Sequence, residues 1–191
     1  MQKIILASKS PRRKQLLEWA QIPFESESSE TDESYPDGLL PHEVAIHIAK
    51  DKALVVQQSN NFKGIKLPVL AADTIVVLNN EIIGKPPNRS DAIKILQKLS
   101  GKKHFVITGV VILFGKKEIV FADSTEVEFH EITDEQIEFY VDTYNPFDKA
   151  GAYAIQEWIG VVGIKGINGD FYNVMGLPIS RVVMELQKME K

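Results

Sequence analysis

The chain has 191 residues, 44% apolar and 25% charged, with 22 basic against 26 acidic side chains and a formal net charge of -4. So apolar a chain offsets its ordering entropy, which excludes disorder as the main theme, and the slight acidic surplus excludes a protein built to coat nucleic acid. The absence of cysteine excludes disulfides, thiolate metal sites and cysteine nucleophiles, and it accords with a cytoplasmic location.

At the N-terminus, Lys3 to Ala7 is a short apolar run that reads as a strand, with no secretory apolar core, so the mature chain is expected to start at Met1. Ser10 as N-cap and Pro11 at the first helical position then open a helix ending near Gln21, with Leu16, Leu17 and Ala20 on its apolar face. Glu25 to Gly38, carrying Glu27, Glu30, Asp32, Glu33 and Asp37, reads as a solvated acidic loop. A second helix is predicted from Pro41 to about Gln58, on Val44, Ile48, Ala49, Ala53 and Val56, with Lys50 and Lys52 interrupting the pattern near its edge.

Strands are predicted over Pro68 to Ala72 and Ile75 to Leu78, followed by a two-residue turn at Asn79-Asn80 and a strand from Glu81 to Ile83. Asn88 or Ser90 caps a helix through Leu99 that Gly101 ends. Two strands, about Phe105 to Phe114 and Glu118 to Phe129, join through Gly115-Lys116-Lys117. Thr133 to Gln136 has capping-box spacing and opens a helix toward Thr143. A last helix starts at Leu177-Pro178 and runs to about Lys188. Interleaved strands and helices with one long hairpin predict an α/β fold of mixed α+β character: a mixed sheet with flanking helices in a single domain over residues 1–191. The longest apolar run, Val110 to Phe114, is far short of the roughly 20 residues of a membrane span, so no membrane partner is expected.

Two segments carry most of the chemistry. Leu6-Ala7-Ser8-Lys9-Ser10-Pro11-Arg12-Arg13 is a strand running into a proline-started helix, a junction whose free N–H groups favour an anion. Arginines in the first helical turn oppose the helix dipole, so either they meet an anion or they turn to solvent or to the acidic loop. Asp73 interrupts the apolar sequence Val69-Leu70-Ala71-Ala72-Asp73-Thr74-Ile75-Val76-Val77. A carboxylate there is costly unless compensated, which suits a metal ligand, a general base, or a group bonded to backbone at a strand end. Gly84-Lys85-Pro86, Asp148 through Gln156, and Gly169 through Pro178 are weaker signals taken singly. His42, His47, His104 and His130 lack metal-ligand spacing and read as structural or surface residues. No P-loop, dinucleotide-binding glycine motif or nucleophile elbow is present.

Taken in order, these segments, together with Leu99-Ser100-Gly101 through His104 to Thr108-Gly109-Val110 and Gly176-Leu177-Pro178, resemble the motifs of the Maf family along nearly the whole chain. That family comprises nucleoside triphosphate pyrophosphatases, which cut the α–β phosphoanhydride with a divalent metal. Its fold is similar to that of the inosine triphosphate pyrophosphatases, an elongated mixed sheet in two lobes with a cleft between them. The resemblance implies that Asp73 activates water, alone or with the metal, that Ser8, Arg12, Arg13, Lys52 and Lys85 bind the triphosphate, and that Glu33 joins Asp73 at a Mg²⁺ or Mn²⁺ ion, making a lid of the acidic loop. Arg12, Thr74 and Gln156 resemble the specificity positions of the branch acting on dTTP and UTP, with Thr74 and Gln156 at the base edge. Modified pyrimidine nucleotides fall within the same expectation. Glu157-Trp158 follows Gln156 where the family commonly has glycine, so the loop there is expected to differ in shape. A homodimer in the cytoplasm, with no stably bound nucleic acid, is also implied. The alternative is a non-catalytic nucleotide or nucleic-acid binder using the Ser8 to Lys14 turn, with a role in cell division, since the family is linked to inhibition of septum formation.

Overall fold

The computed structural model describes residues 2–28, 31–59 and 67–189; Glu30 of the acidic loop lies outside the described residues. The chain divides into two compact units, one comprising Met1–Thr74, Thr108–Asp123 and Gly176–Lys191, the other Ile75–Ile107 and Ser124–Met175. Seven strands among the described residues form a mixed sheet in the order β2-β1-β3-β5-β6-β7, with β4 paired to β3. This is the expected α/β architecture.

The first unit begins with β1 (Ile4–Ala7), which pairs in parallel with β2 (Phe24–Glu27) and with β3 (Val69–Leu78). Between β1 and β2 lies α1 (Pro11–Trp19), two residues shorter than expected. Ser10 stands at the N-cap but its side chain makes no capping bond. A long helix, α2 (Pro41–Gln58), covers one face of the sheet: Ala49, Ala53 and Val56 pack with Ile5, Ala7, Val69 and Ala71. Its axis comes very close to β5 (Lys103–Phe114), because Gly109 has no side chain. A Cβ there would lie 2.4 Å from the backbone of Ala45 and Ile46. Glycine at 109 therefore sets the height at which α2 rides on the sheet. The hairpin partner β6 (Lys117–Phe129) and the C-terminal α7 (Ile179–Met189), which buries Ile179, Val182 and Leu186 on one stripe, also contribute to this unit.

The second unit holds the ends of β3, β5 and β6 together with β4 (Glu81–Ile83), reached by a turn in which Asn79 and Asn80 both take positive φ, as the asparagine pair predicts. Asn88 caps α3 (Arg89–Leu99), its side-chain oxygen accepting the Asp91 N–H at 3.0 Å. Thr133 and Gln136 close the expected capping box of α4 (Asp134–Tyr144). Ala92, Leu96 and Leu99 of α3 pack against Ile137, Tyr140 and Val141 of α4, each buried leucine contributing about 2 kcal/mol. Three short elements complete the unit: α5 (Trp158–Gly163), β7 (Ile164–Asn168), antiparallel to β6, and α6 (Phe171–Met175).

Two expectations are corrected. Glu25 to Glu27 belong to a strand, not to the acidic loop. The segment sits at the sheet edge, where one neighbour suffices and polar side chains stay exposed. Pro68 to Leu78 is not two strands broken at Asp73; β3 runs unbroken through Asp73 and Thr74, because partners on the neighbouring elements satisfy both side chains.

Candidate functional site

Alternation along β3 sends Asp73 to the face shared by Val69 and Ala71, which α2 covers, and Thr74 to the opposite face. On α2, Lys52 follows Ile48 by four residues and Ala49 by three, so it lies within the apolar stripe. Its ammonium donates to Asp73 Oδ1 at 2.7 Å and to Glu33 Oε1 at 2.8 Å. The Lys52 and Asp73 side chains are 17% and 10% exposed, against 44% for Glu33, so one arm of this triad is buried and the other open. Lys52 is therefore not an interruption at the edge of α2. It is the cation that makes a carboxylate tolerable inside β3. Lys50 instead pairs with Glu118 at the surface, at 2.8 Å.

On the other face, α1 places Arg13 ahead of Leu16 and Leu17, and all three are buried. The Arg13 guanidinium donates through Nε to the Gly176 carbonyl at 2.8 Å, through Nη1 to Ser8 Oγ at 3.2 Å and through Nη2 to Thr74 Oγ1 at 3.1 Å. Ser8 Oγ also accepts the Ser10 N–H, and the Thr74 hydroxyl lies 2.9 Å from that of Thr108. Arg13 thus turns neither to solvent nor to the acidic loop. All three of its bonds end on neutral oxygens, so its charge is held without a direct ion pair. Burial lowers its pKa, the nearby charges of Asp73 and Glu33 raise it, and Arg12, half-buried one position earlier, lowers it. A buried guanidinium of this kind favours an incoming anion.

A divalent cation would find two carboxylates here, Glu33 and Asp73, gathered on one ammonium. Among the described residues no group of three or more His, Asp or Glu side chains could hold an ion. The donor set fits a hard cation of the Mg²⁺ type, which binds through one or two carboxylates and completes its shell with phosphate oxygens and water.

The remaining candidates lie in the second unit. Lys85 is exposed beside Gly84, whose carbonyl accepts the Gly151 N–H at 3.2 Å, so two of the weaker sequence segments meet. Gln156 is exposed in a turn before α5. Beside it, buried Lys149 reaches Asp148 at 2.8 Å and Glu157 at 3.5 Å. Among the histidines, His104 is fully buried, with Nε2 2.8 Å from the Tyr153 hydroxyl and edge contacts to Phe129 and Tyr153. Burial pushes it down to about 4. It is structural, as its spacing indicates.

The sequence model of the family described as "Maf-like protein" matches residues 3–189. The chain belongs to the Maf-like family. Curated relatives named "dTTP/UTP pyrophosphatase" include one from Cytophaga hutchinsonii, 50% identical over 97% of this chain and 84% of its own length. Others come from Phocaeicola vulgatus, 46% identical over 98% and 96%, and from Bacillus cereus, 46% identical over 100% and 97%. Among solved structures, "The structure of the Staphylococcus aureus Ham1 protein" aligns at 14% identity over 67% of this chain and 72% of that one, with a TM-score of 0.44.

Several polar partners in this Maf-like chain carry no role in the sequence reading. Thr108 and the Gly176 carbonyl stand in quoted motifs, yet nothing in their spacing shows that Thr108 meets Thr74 or that the carbonyl meets Arg13. Tyr140 was more accessible to inference: it falls on the buried stripe of α4 with Ile137 and Val141, and a buried tyrosine hydroxyl needs a partner. No local pattern points to Glu157 as that partner.

Proposed function

We propose that this chain is a metal-dependent nucleoside triphosphate pyrophosphatase acting on dTTP and UTP, and on modified pyrimidine nucleotides of the same shape. The observation that supports it best is Asp73, a carboxylate inside an apolar strand held by Lys52 and joined through it to Glu33. A passive anion binder has no use for that group, whereas a hydrolase needs a base where water attacks.

In this reading a water molecule gives its proton to Asp73 through Oδ2, since Oδ1 is engaged by Lys52, and its oxygen attacks the α-phosphorus. The bond from the α-phosphorus to the bridging oxygen breaks, the electron pair leaves with pyrophosphate, and the nucleoside monophosphate remains. Arg12, Arg13, Ser8 and Lys52 bind phosphate oxygens, the arginines opposing the charge that grows on the leaving group. Lys85 is a further phosphate ligand, and Gln156 reads the base through an amide that both donates and accepts. Thr74, whose hydroxyl is already shared with Arg13 and Thr108, takes part in specificity, as does Arg12. Glu33 and Asp73 would hold Mg²⁺ or Mn²⁺, which supplies positive charge to the phosphates. A cytoplasmic location, in keeping with the lack of cysteine, and a homodimer, implied by the family resemblance alone, complete the reading.

Incubation of the chain with a panel of nucleoside triphosphates and either ion, scoring monophosphate and pyrophosphate, tests the proposal. Release of both products from dTTP and UTP ahead of the purine nucleotides is the expected result. Binding without turnover across the panel would overturn it in favour of a non-catalytic binder with a division-related role.

A further inference from the structure

Gln156 sits in a tight turn whose two ends converge on one hydroxyl. The Glu157 N–H donates to the Ala154 carbonyl at 3.1 Å, closing the turn, and the Ala154 N–H donates to the Tyr140 hydroxyl at 3.1 Å. The same hydroxyl donates to Glu157 Oε2, so Tyr140 holds the residues on either side of the Ile155-Gln156 pair. Glu157 is held in turn through Oε1, 3.5 Å from the Lys149 ammonium. From below, the turn rests on α5: a Cβ on Gly160 would lie 1.7 Å from the Ile155 carbonyl oxygen, so that carbonyl occupies the place of a side chain. Tyr140 and Lys149 are buried, while Gln156 itself is exposed.

An exposed glutamine has several rotatable bonds and selects one hydrogen-bonding pattern only if its backbone is fixed. Here Tyr140 and Lys149 are buried, Glu157 is partly buried, the bonds between them are charge-assisted, and the exposed residue is the one they surround. Glu157, at a position where the sequence departs from its family resemblance, supplies the carboxylate of this arrangement.

We propose that Tyr140, Glu157 and Lys149 are positioning residues that set nucleobase selectivity by clamping the Gln156 turn. The inference rests on the proposed role of Gln156 as base reader and adds to it the side chains that make that role selective.

The test compares the wild-type chain, Gln156→Ala, Tyr140→Phe, Glu157→Ala and Glu157→Gln, measuring kcat and KM for UTP and GTP alongside circular dichroism. Tyr140→Phe keeps the ring that fills the core and removes only the hydroxyl. The UTP-to-GTP ratio of kcat/KM is expected to fall at least about tenfold in it, the size of one lost hydrogen bond where the hydroxyl makes two, chiefly through a higher KM for UTP. Glu157→Ala is expected to do the same without disturbing a buried ring. Glu157→Gln, which still accepts from Tyr140, is expected to retain more of the ratio. An unchanged ratio in Tyr140→Phe and Glu157→Ala, or equal losses for both nucleotides, would reduce the network to packing and overturn the clamp. Those outcomes differ from failure of the underlying reading, which shows as no turnover by the wild type or an unchanged ratio in Gln156→Ala and overturns both.

Discussion

Two charged side chains decide this site because each is placed where charge is expensive. Asp73 and Arg13 lie in surroundings that penalise ionised groups by several kcal/mol unless partners are supplied, and the partners come from distant positions. Lys52 reaches Asp73 from twenty-one residues earlier, and the Gly176 carbonyl reaches Arg13 from the far end of the chain. The anomaly of Asp73 was legible in the sequence, since a lone carboxylate breaks an apolar run. Its resolution was not: spacing places Lys52 on the apolar stripe of α2 with Ile48 and Ala49, but no local pattern says that its ammonium meets Asp73. His104 shows the opposite case, a titratable group used only for packing. Its ring stays neutral down to about 4 in the fold, while an unfolded histidine takes up a proton near 6.5. The unfolded state therefore binds more protons between those values, so this share of stability is whole above about pH 6.5 and lost as pH falls toward 4, to a total of about 3 kcal/mol. Urea unfolding at pH 7 and pH 4.5 should show a steeper loss for the wild type than for His104→Gln. Equal slopes would contradict the assignment.

Among the elements, those with a cap, a turn pair or an apolar pattern were legible, down to β1 and β4, while β2, α5, β7 and α6 were not. Helices α3 and α4 declare themselves by capping residues and by apolar positions three and four apart, and the asparagine pair marks the turn into β4. Strand β2, with the sequence Phe-Glu-Ser-Glu, has no apolar alternation to reveal it and exists because β1 offers a free edge. The small elements α5, β7 and α6 are likewise set by tertiary contacts more than by local preference. Helix α2 carries Lys52, and Gly109 on β5 sets its distance from the sheet. Gly109→Ala forces a methyl group against the α2 backbone, where no side chain can swing away. A loss of at least about 2 kcal/mol in urea unfolding is expected, with reduced turnover as Lys52 is displaced from Asp73. A stability change under about 0.5 kcal/mol would show that α2 is not held at that height.

For the whole molecule, the slight acidic surplus conceals a local arrangement in which a buried arginine from α1 and a partly buried lysine from α2 stand against one buried and one exposed carboxylate. Net charge reports none of this. In the proposed function, Asp73 delivers water to the α-phosphorus of a pyrimidine nucleoside triphosphate. Hydrolysis of UTP in water labelled with heavy oxygen, followed by mass spectrometry of both products for the wild type and Asp73→Asn, tests it most directly. Label is expected in the monophosphate and none in pyrophosphate, with the rate in Asp73→Asn lower by about a thousandfold in a chain that still folds. Label in pyrophosphate, or an Asp73→Asn rate close to that of the wild type, would contradict it.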